Sequence, residues 1–172
     1  MDVSNPVAPV PPAWDFQGLF GLEARIAAKG DFVFVTEEDL TAWDVSADPL
    51  DPTAWTAVGS LSGLVSSDLV VYGTTMAVTN LSNEVRLVDV AHPFSLEPLA
   101  TLPGFPTPAA ALTVDGGLAF HGSYAGLNVV DLSDPVAPAL IGALATGDGH
   151  SVYVREGDLL YAGTSSALRI LD

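Results

Sequence analysis

One short phrase recurs along the chain at a nearly fixed interval, and that interval constrains the fold more than any other feature. "MDVSNP", "WDVSADP", "VDVAHP" and "VDLSDP" each carry an aspartate with a proline four or five residues later. Aligned on Asp2, Asp44, Asp89, Asp131 and Asp172, the steps are 42, 45, 42 and 41 residues. A period in the low forties belongs to repeat architectures, in which each repeat is one supersecondary unit. The repeats run approximately 2–43, 44–88, 89–130 and 131–172, within a single domain spanning 1–172.

Each repeat has the same internal order. An alternating apolar stretch leads to a glycine-centred turn (Gly30, Gly73, Gly116, Gly157), then a second apolar run, a polar loop, and a third run ending at the aspartate. Glycine supplies the positive φ that a tight hairpin needs. The X-Pro step after the aspartate ends pairing, because proline lacks an N–H. A fourth run follows, such as "TAWTAVGSL" (53–61) or "PALIGALA" (138–145). No segment sustains a 3.6-residue period with caps, so helix content is expected near zero. Four short antiparallel strands per repeat define an all-β protein, a β-propeller of four-stranded blades with four blades per chain.

The wording of the repeat adds to this. "GLNVVDLSDPVAPALIGAL" (126–144), "IAAKGDFVFV" (26–35) and "LTVDGGLAF" (112–120) resemble the LVIVD-repeat β-propeller family, and the resemblance extends over four copies. It departs at "VDVAHPFSLEP", where His92 stands in place of an acidic residue. The resemblance implies a propeller, often in secreted or surface-attached bacterial proteins, with no common enzymatic activity.

Charge narrows the partners. Against 21 acidic residues stand only 5 basic ones, a formal net charge of −16. Such a surface repels phosphate backbones and anionic lipid, so neither nucleic acid nor a membrane surface is an expected partner. Apolar residues make up 49% of the chain, which argues for a packed core. With no cysteine there is no disulfide framework and no thiolate site. No basic start and apolar run marks a leader at residues 1–20, and the compartment stays open.

Site residues fall into two groups. Asp44, Asp89 and Asp131 end the third strand of their repeats, where a carboxylate accepts backbone N–H groups and holds a turn. Spread around a ring, they cannot converge on one substrate. His92, His121 and His150 occupy three different phases of the repeat, so a histidine metal centre is not expected. No Asp-x-Asx-x-Asx-Gly calcium loop and no Gly-x-Ser-x-Gly elbow occurs. The expectation is a protein without cofactor, metal or catalytic group.

The candidate binding face combines the loops from fourth to first strand with those from second to third. It includes Glu37, Glu38 and Asp39, Phe105 and Tyr124 as exposed aromatic anchors, and His150. The acidic run Glu37-Glu38-Asp39 otherwise serves to solvate a loop.

The phase of the ends carries the assembly expectation. The first run, about 9–18, reads as a fourth strand with no blade before it, and the last repeat stops after a third strand. One chain closing as four blades satisfies this, and so do two chains closing head-to-tail as an eight-bladed homodimer, the favoured form. A natural half-ring and an engineered or excised fragment fit equally. The functional expectation is a self-assembling scaffold or protein-interaction module. The alternative is a small-ligand or glycan binder using the channel mouth.

Overall fold

Each described repeat folds into one small antiparallel sheet whose strands pair in chain order. The computed structural model describes residues 24–80, 82–105, 109–146, 150–164 and 166–171. Sheet 1 contains β1 (Arg25–Lys29), β2 (Phe32–Thr36), β3 (Leu40–Asp44) and β4 (Thr56–Leu61). Sheet 2 contains β5 (Asp68–Tyr72), β6 (Thr75–Thr79), β7 (Glu84–Asp89) and β8 (Glu97–Pro103). Sheet 3 contains β9 (Ala109–Asp115), β10 (Leu118–Ser123), β11 (Gly126–Asp131) and β12 (Ala139–Ala145). Sheet 4 has three strands among the described residues, β13 (His150–Glu156), β14 (Leu159–Thr164) and β15 (Leu168–Leu171).

The repeat is visible in the backbone as well as in the letters. The four turn glycines have φ of 58°, 54°, 57° and 60°, joining first and second strands by tight two-residue loops. Three third strands carry a register shift against the fourth at the same phase, at Ala42/Trp43, Leu87/Val88 and Val129/Val130. A bulge at a fixed place bends each outer strand alike. The residue after each aspartate donates its N–H back to the first hairpin: Val45 to Asp31 O, Val90 to Thr74 O, and Leu132 to Gly117 O. Third strand and first turn are thereby locked together in the first three repeats.

The core lies between sheets. Phe34, Leu40 and Ala42 of sheet 1 meet Met76, Val78 and Val88 of sheet 2. Ala77, Val85 and Leu87 of sheet 2 meet Leu112, Ala119 and Val130 of sheet 3. Phe120 and Leu127 of sheet 3 meet Tyr153, Leu160 and Ala162 of sheet 4. Period-2 alternation explains the two-sidedness, since successive residues of one strand point into successive interfaces. Middle strands of an interior sheet are therefore apolar on both faces, as in β6, where all of Thr75–Thr79 is buried.

The inner strands β1, β5, β9 and β13 adjoin in series, and side chains stitch them. Arg25 Nε donates to Ser67 O at 2.7 Å, and Leu112 N donates to Asp68 Oδ2 at 2.8 Å. Thr113 Oγ1 donates to Tyr153 O at 3.4 Å.

One element departs from expectation. The fourth run of sheet 1 begins at Thr56 rather than 53, because Pro52–Ala54 form a 3₁₀ turn capped by Asp51. Trp55, expected in an outer strand, precedes β4, and its Nε1 donates to Asp48 O. The expected run at 9–18, with Trp14, lies outside the described residues, as does Asp172.

Candidate interaction face

The turn aspartates act locally. In each of Asp44, Asp89 and Asp131, Oδ1 accepts the backbone N–H two residues on, from Ser46, Ala91 and Ser133, at 2.8–2.9 Å. Hydrogen bonds from the Ser46 side chain and backbone hold the Asp44 carboxyl below the usual range. The Ser133 backbone, then its side chain, does the same for Asp131. Asp48 and Asp134 repeat the motif toward Leu50 and Val136, so the phrase closes two successive turns.

The opposite ends of the strands form the loop face. Gly63 N, in the β4–β5 loop, donates to Asp39 Oδ1 of the β2–β3 loop at 2.8 Å. Phe105 N, in the β8–β9 loop, donates to Asn83 O of the β6–β7 loop at 3.2 Å. The two loop types thus share an end, at the first and second sheets and at the second and third.

A polar chain crosses from sheet 1 to sheet 2 there. Gly63 O accepts from Arg86 Nη1 at 2.9 Å, and Arg86 Nε reaches Glu84 Oε2 at 3.1 Å. Asn80 Nδ2 also donates to that oxygen at 3.1 Å. Asn80, and then Arg86, hold the Glu84 carboxyl below its ordinary value. Asp39 therefore is more than a solvating charge: its carboxylate fastens the β2–β3 loop to the β4–β5 loop. Glu37 and Glu38 are exposed beside it.

Phe105 corrects the sequence reading. It is 4% exposed, packed against Val85 and Leu87, with its ring stacked on His121 at 4.3 Å between centroids. The loop turns the ring into the gap between sheets 2 and 3, where two apolar faces cover more of its surface than solvent would leave covered. Tyr124 is 74% exposed on the β10–β11 loop. His150 opens β13, paired with Thr164, and its side chain lies outside the described residues.

Sequence reasoning missed what His121 does. Its ring is fully buried, with Nδ1 3.3 Å from Asn128 Nδ2 and no described partner at Nε2. Burial pushes its pKa down to about 4, so it is neutral at physiological pH. The signal was available in its second-strand position, flanked by "LAF" and "G". His92, His121 and His150 fall on three different sheets, and among the described residues no three His, Asp or Glu groups have metal-binding spacing. Among the described residues the face offers hydrogen-bonding loops and the exposed ring of Tyr124.

Known structures define the class. The crystal structure of the computationally designed Ika4 protein superposes with a TM-score of 0.66 at 12% identity, covering 86% of this chain and 88% of that one. BamB from Moraxella catarrhalis gives 0.62 at 12% identity, covering 84% of this chain and 41% of that one. The designed Ika8 protein gives 0.64 at 12% identity, covering 85% and 44%. The chain thus spans less than half of the BamB and Ika8 chains. The fold is that of a β-propeller. More narrowly, the family model described as the LVIVD repeat matches residues 108–146, which take in β9 to β12 of sheet 3. No curated protein matches the sequence.

Proposed function

We propose that this chain is a non-enzymatic, self-associating propeller scaffold, with a ring of two copies and eight sheets as its functional unit and its loop face as the interaction surface. One observation carries the reading. Among the described residues, buried cores join sheets 1 and 2, 2 and 3, and 3 and 4, and none joins sheet 4 to sheet 1. Both outer faces are apolar. Val154, Leu168 and Ile170, on the face of sheet 4 turned from sheet 3, are 57–69% exposed. Ile26, on the face of sheet 1 turned from sheet 2, is 58% exposed.

A face of sheet 4 laid on the sheet 1 face of another copy covers both at once, and a second such contact closes the ring. Burying the part of these side chains still exposed contributes roughly 1–2 kcal/mol apiece. The match to under half of the longer BamB and Ika8 chains is in keeping with an arc of a larger ring. Light scattering should give close to twice the 17.7 kDa chain mass. A monodisperse monomer at micromolar concentration would overturn the reading.

A further inference from the structure

The first strands of neighbouring sheets meet in one register. Counted back from the turn glycine, the residue three before it in one sheet shares a gap with the residue four before it in the next. Ala27 and Leu69 lie in the core of sheets 1 and 2, and Val70 and Leu112 in the core of sheets 2 and 3. Thr113 Oγ1 donates to Tyr153 O between sheets 3 and 4. Nearer the turn, the residue one before the glycine meets the residue two before the next. Tyr72 and Val114 line the gap of sheets 2 and 3, and Asp115 Oδ2 pairs with Arg155 Nη1 at 3.2 Å between sheets 3 and 4. Hairpins of equal length keep this count the same in all four sheets.

Burial picks out two residues that keep this register and stay in solvent. The position four before the glycine is 7%, 6% and 4% exposed at Leu69, Leu112 and Tyr153, but 58% at Ile26 of sheet 1. The position three before it is half-buried at Ala27, Val70 and Thr113, but 57% exposed at Val154 of sheet 4. Beside them, Ala28 of sheet 1 and Glu156 of sheet 4 are exposed as well. Ile26 and Val154 are thus the two halves of a contact that the chain makes three times within itself. Both halves are open in one copy, so they do not meet there.

We propose that Val154 seats on Ile26 of a second copy, with Glu156 over that copy's Ala28, so that the contact between copies repeats the register of the contacts within one. This rests on the two-copy ring proposed above and fixes how its closing sheets align. The two apolar side chains gain from each other the cover from water that Leu69 and Leu112 already have inside the chain. Glu156 comes to lie against a methyl group rather than another carboxylate, which matters between chains that each carry a net charge of −16. By count from the glycine, Glu156 holds the place of Asp115, and Ala28 holds the place of Arg155. The contact between copies therefore has the acid of that ion pair without its base.

The chain has no cysteine, which makes the register addressable. A tagged Ile26→Cys chain is mixed with an untagged Val154→Cys chain and treated with a short bis-maleimide. In the control, Leu50→Cys, on the exposed β3–β4 loop, replaces Ile26→Cys. A tagged band of doubled mass with Ile26→Cys and not with Leu50→Cys is the expected result. Doubled solution mass without that band overturns the register and leaves the ring standing, whereas a monomer by light scattering removes both. An Ile26→Cys/Val154→Cys double variant that links only within one chain overturns the second copy as the occupant. Ala28→Arg supplies the independent arm, because it installs the missing base opposite Glu156. It should tighten self-association about threefold or more at low salt, with no gain in a Glu156→Gln background. No gain, or an equal gain in both backgrounds, refutes the alignment.

Discussion

Acid should reach this protein first at His121. The imidazole is fully buried between sheets 2 and 3, stacked on Phe105, and its pKa is lowered from 6.5 to about 4. Desolvation is the cause, since a charged ring there would lose water without gaining a countercharge. The folded state resists the proton and the unfolded state accepts it, so acid draws the equilibrium toward unfolding. The neutral ring's advantage is complete above pH 6.5 and drains away as pH falls toward 4. A depression of this size corresponds to roughly 3 kcal/mol, of which roughly 2 is lost by pH 5. Carboxylates held low, such as Asp44, Asp131 and Glu84, act in a separate window, because their contribution fails only as pH falls through their folded values, below about 4. Neutralising acidic groups also relieves the −16 charge and works in the stabilising direction. The comparison that cancels both is urea unfolding of the parent and of His121→Leu, followed by tryptophan fluorescence at pH 7.5, 6.5, 5.5 and 5. The parent should lose roughly 2 kcal/mol more than the variant across that range. Superimposable pH profiles would show that His121 takes up its proton without unfolding, and the burial argument would be refuted.

Two further substitutions test the repeated contacts. Asp131→Ala and Asp39→Ala should each lower the melting temperature by a few degrees, since each removes the acceptor of a backbone N–H; a silent Asp39 change would return that residue to a mere surface charge. Gly59→Ala should destabilise the chain by roughly 1–3 kcal/mol in urea melts, because its methyl displaces the Pro93 loop, and a neutral result would show that the loop moves freely.

The fold was legible because the repeat writes its turns in residues with few substitutes. Gly30, Gly73, Gly116 and Gly157 mark the hairpins, and Asp44, Asp89 and Asp131 mark the ends of third strands. Those choices depend on local backbone geometry, which local sequence determines. Phe105 was misread because its placement depends on a gap between two sheets, which no window of sequence contains. The polar chain from Asp39 through Gly63 and Arg86 to Glu84 spans more than forty positions and crosses sheets, so its members read as separate loop charges. Trp55 went astray for a smaller reason. Asp51-Pro52 is a good start for a helical turn, and that local preference displaced the first residues of an apolar run that reads equally well as strand.

The side-chain bonds that join β1 to the β4–β5 loop, β5 to β9, and β9 to β13 all lie near the axis of the arc. The outer strands β8 and β12 carry mostly exposed residues. Between sheets 1 and 2 the rim is fastened as well, because the Pro93 loop closes on Gly59 of β4 and Phe94 packs against Phe32. The angle between adjacent sheets is then set by the side chains that fill the space between them, so a change of volume in one of those cores would be felt as a change of angle.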